Sequence, residues 1–268
     1  MKILTIGDVV SAAGCDYLRE VLPGLKRNYK SDLTIVNAEN SAVGNGITPK
    51  SANDVITLGN HSLKRPEISD YLEENEFIIR PANYHGSAPG HGMVIIDKGY
   101  IKAAVINLQG VVYLDPIKNP FDAADEIIER AKAEGAKLII IDFHAEATSE
   151  KRALGFYLDG RISALFGTHT HVQTSDNQIL PNGTGYITDL GMTGPLQSVL
   201  GVEPECAIRK MRTNLPVRFK NPSGECTCDG GYPCPLPYRL LRIGKRRNAD
   251  KSRYYRTGNR YTRRQQHL

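Results

Sequence analysis

Short apolar runs recur along the first two thirds of the chain and predict β-strands. They cover residues 3–6, 33–36, 54–58, 93–96, 103–107, 138–143, 162–167, 185–189 and 215–219. The run 138–143 is almost wholly apolar, which is typical of a strand that is covered on both faces. Residues 97–100 form a turn between two of these runs, and the pattern therefore predicts a β-hairpin at that point.

Helical periodicity separates several of the predicted strands. Residues 16–29 place apolar side chains on one face, although Pro23 lies among them, and residues 121–135 repeat the pattern with Gly135 suited to the helix end. Residues 66–72 and 149–157 fit shorter helices. Alternation of strands and helices predicts an α/β fold, a sandwich of two packed β-sheets flanked by helices.

The pattern changes after residue 220. Glycine, proline and cysteine crowd residues 221–237, and residues 242–268 are basic and polar with almost no apolar periodicity. The sequence therefore predicts one domain over residues 1–220. It predicts an atypical tail over residues 221–268, first rich in cysteine and proline and then basic, which is disordered and adds nothing to the core after about residue 241.

Composition agrees with a water-soluble globular protein. Of the 268 residues, 40% are hydrophobic and 24% are charged. No stretch reaches the roughly 18 apolar residues of a membrane span, and the first six residues lead into Gly7 and Asp8 without the features of a signal peptide. A cytoplasmic enzyme without a membrane partner is expected.

Most of the positive charge lies in the tail. Residues 237–268 carry eleven lysines or arginines and one acid, a net of +10, so that the other residues carry −5 of the total +5. Arginines there alternate with tyrosines, which would suit weak contact with RNA through phosphates and stacked bases. A solvated tail without a partner is the favoured interpretation.

Three of the five cysteines cluster at Cys226, Cys228 and Cys234. Structural zinc sites require four ligands, and a fourth is missing here. Incidental thiols are therefore expected.

Polar residues capable of binding a metal follow five of the predicted strands. Gly7-Asp8 follows the first, and Glu39-Asn40, Asn60-His61, His144 and the His169-Thr170-His171 stretch follow later ones. In open α/β sheets, sites form at the carboxyl ends of strands. Carboxylates, amide oxygens and imidazoles at such ends indicate a metal site, and more specifically a pair of metals that promote hydrolysis.

Two metals about 3.5–4 Å apart need a bridging carboxylate and neutral ligands around it. The metal-ligand candidates are Asp8, Glu39, Asn40, Asn60, His144, His169 and His171. His61 adjoins a candidate ligand and is interpreted as a general acid or phosphate contact. A loop conformation is needed to aim both rings of the His-x-His pair at one cluster, because neighbouring positions of a strand point alternate ways.

The motifs resemble those of the calcineurin-like metallophosphoesterases, and more narrowly of their bacterial YmdB-like branch of cyclic-nucleotide phosphodiesterases. The similar segments lie at residues 6–10, 37–40, 54–61, 80–83, 104–110, 141–151, 167–174, 186–195 and 213–218. The resemblance implies that Asp8, Glu39, Asn40 and His171 hold one metal. It also implies that Glu39, Asn60, His144 and His169 hold the other, with iron or manganese as the metals and His61 as the proton donor.

The implied reaction is attack of water on a phosphodiester, with 2′,3′- or 3′,5′-cyclic mononucleotides as substrates. A phosphomonoesterase or 5′-nucleotidase on the same site is an alternative. An inactive homologue with an RNA-binding tail is another, and homo-oligomerisation stays open.

Three departures from the family pattern stand out. The resemblance covers residues 1–220, and the residues after 220 do not look like the closing β-hairpin of the family. The crossover over residues 41–53 has only thirteen residues, about the minimum for a connection between parallel strands, and leaves little room for the helix that the family usually has there. This shortening is expected to disturb the placement of Asn60. The chain also lacks the tryptophan that usually follows the Asn-His pair, and has Ser62 and Leu63 there instead.

Overall fold

The computed structural model describes residues 1–41, 54–64, 67–232 and 239–244. Within these ranges two β-sheets pack against each other. The strands of the first sheet are β1 (Ile3–Ile6), β2 (Asp8–Val9), β3 (Leu33–Asn37), β4 (Asp54–Thr57), β5 (Ile78–Ile79), β12 (Met192–Pro195), β13 (Cys226–Tyr232) and β14 (Arg239–Gly244). Those of the second sheet are β6 (Met93–Asp97), β7 (Lys102–Gln109), β8 (Leu138–His144), β9 (Ala164–Thr168), β10 (Gln178–Ile179) and β11 (Gly185–Ile187).

The strand order is β2-β12-β13-β1-β3-β4-β5 in the first sheet, with β14 against β13, and β10-β11-β9-β8-β7-β6 in the second. Strands β1, β3, β4 and β5 are mutually parallel, as are β7, β8, β9 and β11. The described helices are α1 (Ser11–Tyr29), α2 (Ile68–Glu74), α3 (Pro120–Ala133), α4 (Thr148–Tyr157) and α5 (Pro204–Thr213).

The core follows from the alternation of side chains along the strands. In β8, Ile140 faces the first sheet and packs with Ile35 and Val105, whereas Ile139 and Ile141 face α3 and α4. The outer face of the first sheet packs in the same way on α1 and on α2. The predicted sandwich of two sheets flanked by helices is therefore confirmed.

Helix α1 begins at Ser11, five residues before the predicted start, and continues through Pro23. The sequence of its first turn shows little apolar periodicity, so the turn was not predicted. Close packing against the sheet holds it in place instead. Gly14 lies so near β12 that a Cβ atom there would be 2.5 Å from the Thr193 carbonyl oxygen. The other predicted helices are displaced by at most two residues at each described end.

The prediction of a strand over residues 215–219 is wrong. These residues form no strand, and the relative exposures of Leu215 and Phe219 are 53% and 55%. Pro216 has no N–H to offer a neighbouring strand. Helix α5 was not predicted, because Ala207 is its only buried residue and its remaining pattern is polar and basic.

Strand β13 lies beyond residue 220, where the sequence pattern predicts the end of the domain. It pairs antiparallel with β12 and β1 along one edge and with β14 along the other, so it is an inner strand of the first sheet. Its sequence, CTCDGGY, has weak β-propensity. Gly230 packs directly on the Thr5 carbonyl oxygen, leaving no room for a Cβ atom. Strand β14 also lies in the predicted tail and pairs with β13. Residues 233–238 and 245–268 of that tail lie outside the described residues.

Cys226 and Cys228 are buried free thiols in the core beneath α1. Burial raises the pKa of Cys228 to about 12, so its thiol stays protonated at neutral pH. Both side chains pack among the apolar residues of this core. The third member, Cys234, lies outside the described residues. No helix in the described part of the chain is long and apolar enough to cross a membrane.

Candidate metal centre

The polar strand ends of the two sheets meet at one edge of the sandwich. Asp8 lies after β1, Glu39 and Asn40 after β3, and Asn60 after β4. From the second sheet, His144 ends β8 and the His169–His171 stretch follows β9. Parallel strands present their carboxyl ends at the same edge of a sheet, which is why residues so distant in sequence come together.

Strand β4 pairs in parallel with β3 despite the short crossover, with Val36 beside Ile56 in the register. The position of Asn60 is therefore not disturbed, and its Oδ1 lies 3.0 Å from His144 Nε2. The expectation of a displaced Asn60 is wrong because the pairing with β3 fixes the end of β4. The crossover residues 42–53 themselves lie outside the described residues.

The His-x-His stretch leaves the strand conformation, as is needed for both rings to point at one cluster. His169 has φ of 98° and His171 has φ of 62°, both in the left-handed region that residues with side chains rarely adopt. Each such residue costs about 1–3 kcal/mol, and the cost is sustained only where surrounding contacts hold the backbone. The two turns aim both imidazoles at the same edge of the sandwich.

Several ligand atoms converge on His144 Nε2. Within 3.0–3.1 Å of it lie Glu39 Oε1, Asn60 Oδ1 and His169 Nδ1. A single imidazole N–H cannot donate to three acceptors at once, so ordinary hydrogen bonding does not account for this arrangement. Among the described residues, Glu39, His144 and His169 form a group whose ligand atoms all lie within 4.8 Å of one another. A divalent cation bound between them would satisfy all of these atoms.

The hydrogen bonds of His144 fix which nitrogen can bind a metal. Its Nδ1 lies 2.9 Å from Thr168 Oγ1, and that hydroxyl donates to Asp142 Oδ1 at 2.7 Å. Because the hydroxyl proton is committed to Asp142, Thr168 must accept from His144 Nδ1–H. The lone pair of the neutral ring then lies on Nε2, toward the cluster. Such support orients metal-binding histidines generally.

The other two histidines are oriented by the same rule. His169 Nε2 lies 3.0 Å from Glu146 Oε2, which leaves Nδ1 facing His144. His171 Nδ1 lies 3.1 Å from the Leu200 carbonyl oxygen, which accepts its proton and leaves Nε2 for a metal. In its neutral form, each of the three rings therefore presents one unprotonated nitrogen to the centre.

A second group of ligand atoms lies beside the first. His171 Nε2 is 3.0 Å from Asn40 Nδ2 and 3.8 Å from Asp8 Oδ1. Asp8 Oδ1 is fully buried and has no hydrogen-bond partner among the described residues, which is costly for a carboxylate oxygen unless a cation binds it. A half-turn of the Asn40 amide would exchange its two terminal atoms and bring Oδ1 toward His171.

Glu39 lies between the two groups. Its Oε1 is 3.1 Å from His144 Nε2 and accepts from Asn40 Nδ2 at 3.0 Å, and its Oε2 accepts from the His61 backbone N–H at 3.1 Å. Gly59 makes this approach feasible, because a Cβ atom there would overlap both the Glu39 carboxylate and the His144 ring. The carboxylate is thus placed to bridge two cations, and the described residues fit a two-metal centre.

Charge interactions shift the pKa values of the centre in opposite directions. Burial would raise the pKa of Glu39, but the charge and hydrogen bond of His144 lower it to about 2. Burial would lower the pKa of His144, but Glu39 raises it to about 9. Burial and the neighbouring His144 lower the pKa of His169 to about 4, and burial raises the pKa of Asp8. Without metal, the charge on Glu39 is therefore offset by a protonated His144.

These shifts predict that metal binding releases a proton. A metal requires the neutral form of His144, whose pKa of about 9 keeps it protonated at pH 7, whereas His169 with a pKa of about 4 is already neutral. We expect Mn²⁺ affinity to rise about tenfold per pH unit between pH 7 and about pH 9. Calorimetry in buffers of different ionisation enthalpy measures the released protons. Affinity independent of pH over this range would contradict the His144 assignment.

His61 lies at the open side of the centre and is half-buried. Its Nδ1 is 3.1 Å from Asn40 Oδ1 and 3.5 Å from Glu39 Oε1. Burial lowers its pKa, although Glu39 opposes the shift. Asn40 and Glu39 therefore hold the ring beside the cluster, and the ring is not one of the groups that converge on His144 Nε2.

All eight predicted site residues thus lie together, but the sequence did not indicate the residues that support them. The supporting residues bond to a ligand side chain or to the threonines beside the ligands, and they are Asp142, Thr168, Glu146, Lys151 and Asp189. One signal was available, because Asp142 is a carboxylate inside an otherwise apolar strand and must find partners there. It accepts from Asn37 Nδ2 at 3.0 Å and from Thr168 Oγ1 at 2.7 Å.

The two-sheet sandwich with ligands at its strand ends is the fold of the calcineurin-like metallophosphoesterases. The chain belongs to the YmdB-like protein family, whose model matches residues 4–232. The match includes strand β13 and so extends past residue 220, in agreement with the position of that strand in the sheet.

Relatives of this chain support the same assignment. It is 50% identical over 237 residues to a 2′,3′-cyclic-nucleotide 2′-phosphodiesterase of Bacillus subtilis, covering 86% of this chain and 89% of the relative. A structure from Thermus thermophilus superposes with a TM-score of 0.83 at 36% identity, over 92% of this chain and all of that one. The structure of a phosphatase from Mycoplasma pneumoniae superposes with a TM-score of 0.81 at 33% identity, over 91% of this chain and 93% of that one. The chain is a phosphoesterase enzyme.

Proposed function

We propose that this protein is a dinuclear metal-dependent phosphodiesterase that hydrolyses 2′,3′-cyclic mononucleotides. The observation that carries the proposal is the convergence of Glu39, Asn60 and His169 on His144 Nε2, next to the orphaned carboxylate oxygen of Asp8. Hydrogen-bonded side chains alone do not explain either feature. Two divalent cations that share Glu39 explain both.

The metal ligands would divide into two groups. Asp8, Asn40 and His171 would hold one ion, Asn60, His144 and His169 the other, and Glu39 would bridge them. Iron and manganese are the proposed metals, although a set of imidazole, carboxylate and amide ligands suits several divalent ions. Bound cations at such a centre polarise phosphate oxygens and make water a better nucleophile at neutral pH.

The residues of the chain would supply position and a proton. Three imidazoles are oriented by Thr168, Glu146 and the Leu200 carbonyl, so the rings need no reorientation when the substrate binds. With the Asn40 amide turned so that Oδ1 faces His171, its Nδ2 would donate to His61 Nδ1, and His61 Nε2 would then carry the proton that the leaving ribose oxygen takes up.

The choice of substrate rests on the Bacillus subtilis relative, whose name specifies the 2′ ester bond of a 2′,3′-cyclic nucleotide. We expect the purified protein with Mn²⁺ to convert 2′,3′-cyclic AMP to the 3′-monophosphate, with kcat/KM at least about tenfold above that for 3′,5′-cyclic AMP. Chromatography of the products measures both the rate and the bond cleaved. A preference for the 3′,5′ isomer would contradict this assignment.

A phosphomonoesterase is the second candidate, favoured by the similarity to the Mycoplasma pneumoniae phosphatase. The same cluster could bind a terminal phosphate. Comparison of bis-p-nitrophenyl phosphate with p-nitrophenyl phosphate on one preparation separates the two activities. The proposal of RNA contact through the basic tail concerns residues outside the described ranges.

A further inference from the structure

A fully buried ion pair lies beneath the histidine stretch and takes no part in the centre itself. Lys151 Nζ lies 2.8 Å from Asp189 Oδ2, and the side chains of both residues are 0% exposed. Lys151 belongs to helix α4, whereas Asp189 follows strand β11. Burial of two opposite charges is expensive, and such pairs are often replaceable by apolar residues without loss of stability. Stability alone therefore does not explain why the pair is present.

The pair hydrogen-bonds to the backbone on both sides of His169. Lys151 Nζ donates to the Thr168 carbonyl oxygen at 2.8 Å. Asp189 Oδ2 accepts from the Thr170 backbone N–H at 3.1 Å and from Thr170 Oγ1 at 2.8 Å. Its other oxygen accepts from the Gly191 N–H at 2.8 Å. The residues before and after His169 are thus both tied to one buried charge pair.

The stretch needs such a restraint because His169 and His171 both have left-handed backbone conformations, with φ of 98° and 62°. Unrestrained, these residues would relax to negative φ, and the ring positions would change. Gly167 gives the lysine access, because a Cβ atom there would lie 3.0 Å from Lys151 Cδ and would overlap the Thr188 carbonyl oxygen. The sequence around the stretch therefore accommodates the lysine as well as the turn.

We infer that Lys151 and Asp189 are positioning residues that hold the strained His169–His171 backbone in its metal-binding conformation. The inference rests on the proposed metal centre. The pair makes no hydrogen bond to a ligand side chain and holds the stretch through the Thr168 carbonyl oxygen and through the N–H and hydroxyl of Thr170. Loss of the lysine charge should therefore weaken metal binding before it affects the rest of the fold.

The test compares Lys151→Met with Leu154→Ala, using Mn²⁺ titration calorimetry on full-length protein well below each melting temperature. Methionine keeps the length of the lysine stem without its charge. Leu154 lies on the same helix, is fully buried in the core and contacts no part of the centre, so its variant reports the effect of lost stability alone. We expect the Kd for Mn²⁺ to rise about 10–100-fold in Lys151→Met and to stay within about twofold in Leu154→Ala.

Thr170→Val provides a milder variant that keeps the shape of the side chain but removes its hydroxyl bond to Asp189. It is expected to weaken Mn²⁺ binding by about tenfold, and it carries the test if Lys151→Met does not fold. Wild-type Mn²⁺ affinity in both Lys151→Met and Thr170→Val would overturn the inference without contradicting the metal centre. Equal weakening in Lys151→Met and Leu154→Ala would also overturn it, and a wild-type protein that binds no Mn²⁺ would overturn both proposals.

Discussion

Glu39→Gln is expected to lower kcat for a phosphodiester by about 10³-fold or more at a fixed Mn²⁺ concentration. Glutamine keeps the shape and can still accept from the His61 N–H, but it removes the negative charge shared by the two groups of ligands. Two cations without a bridging anion repel each other, and metal-based charge stabilisation contributes several kcal/mol to such reactions. Steady-state kinetics on bis-p-nitrophenyl phosphate measures the loss.

A matched variant separates this effect from a general one. Glu126 is an exposed glutamate that pairs with Lys118 on the surface. Glu126→Gln makes the same chemical change far from the centre and should keep wild-type activity. Equal rates for wild type and Glu39→Gln would contradict the assignment of Glu39 as the bridging carboxylate, or would show that a contaminating enzyme is responsible for the activity.

His61→Asn is expected to lower kcat for 2′,3′-cyclic AMP by about 10²–10⁴-fold, the usual contribution of a positioned general acid. The ribose alkoxide is a poor leaving group and needs a proton. A p-nitrophenolate needs none, so the loss with bis-p-nitrophenyl phosphate should be much smaller. The ratio of the two losses is the diagnostic quantity, because damage to the metal centre would lower both rates alike.

His85 offers a control for the loss of an imidazole near the same edge. Its ring is exposed and hydrogen-bonded to Ser87 Oγ at 2.8 Å. His85→Asn should leave both substrates unaffected. Equal losses with the two substrates in His61→Asn would contradict the role of proton donor and indicate a phosphate contact instead.

Most of the fold and all of the candidate ligands could be predicted because they follow from local pattern. The run 138–143 is apolar enough to be recognised as a buried strand, and the polar residues after it stand at the strand end where sites form. The alternation of strands with helices at residues 121–135 and 149–157 then defines the sandwich. Such features need no knowledge of distant contacts.

Elements defined by long-range packing were missed. Strand β13 is rich in glycine and cysteine, and its pairing with β1, β12 and β14 makes it a strand. The first turn of α1 likewise depends on the contact of Gly14 with β12. Residues 215–219 show the opposite case, since they have the apolar composition of a strand but no partner among the described strands.

The supporting residues could not be predicted for a related reason. Asp142 and Asp189 lie in predicted strands, and nothing in their local sequence shows that one supports His144 through Thr168 while the other holds the backbone at Thr170. Lys151 lies in a helix, where an exposed lysine is the ordinary case, yet it is fully buried. Its partner is 38 residues away in sequence.

The measurement that tests the two-metal centre most directly is the number of Mn²⁺ ions bound per chain, by calorimetric titration of metal-free protein with metal analysis of the saturated sample. Two ions are expected for the wild type. Glu39→Gln, which loses the shared ligand, is expected to retain at most one with weakened affinity. A wild-type stoichiometry of one or none, or two ions bound equally tightly by Glu39→Gln, would contradict a two-metal centre that shares Glu39.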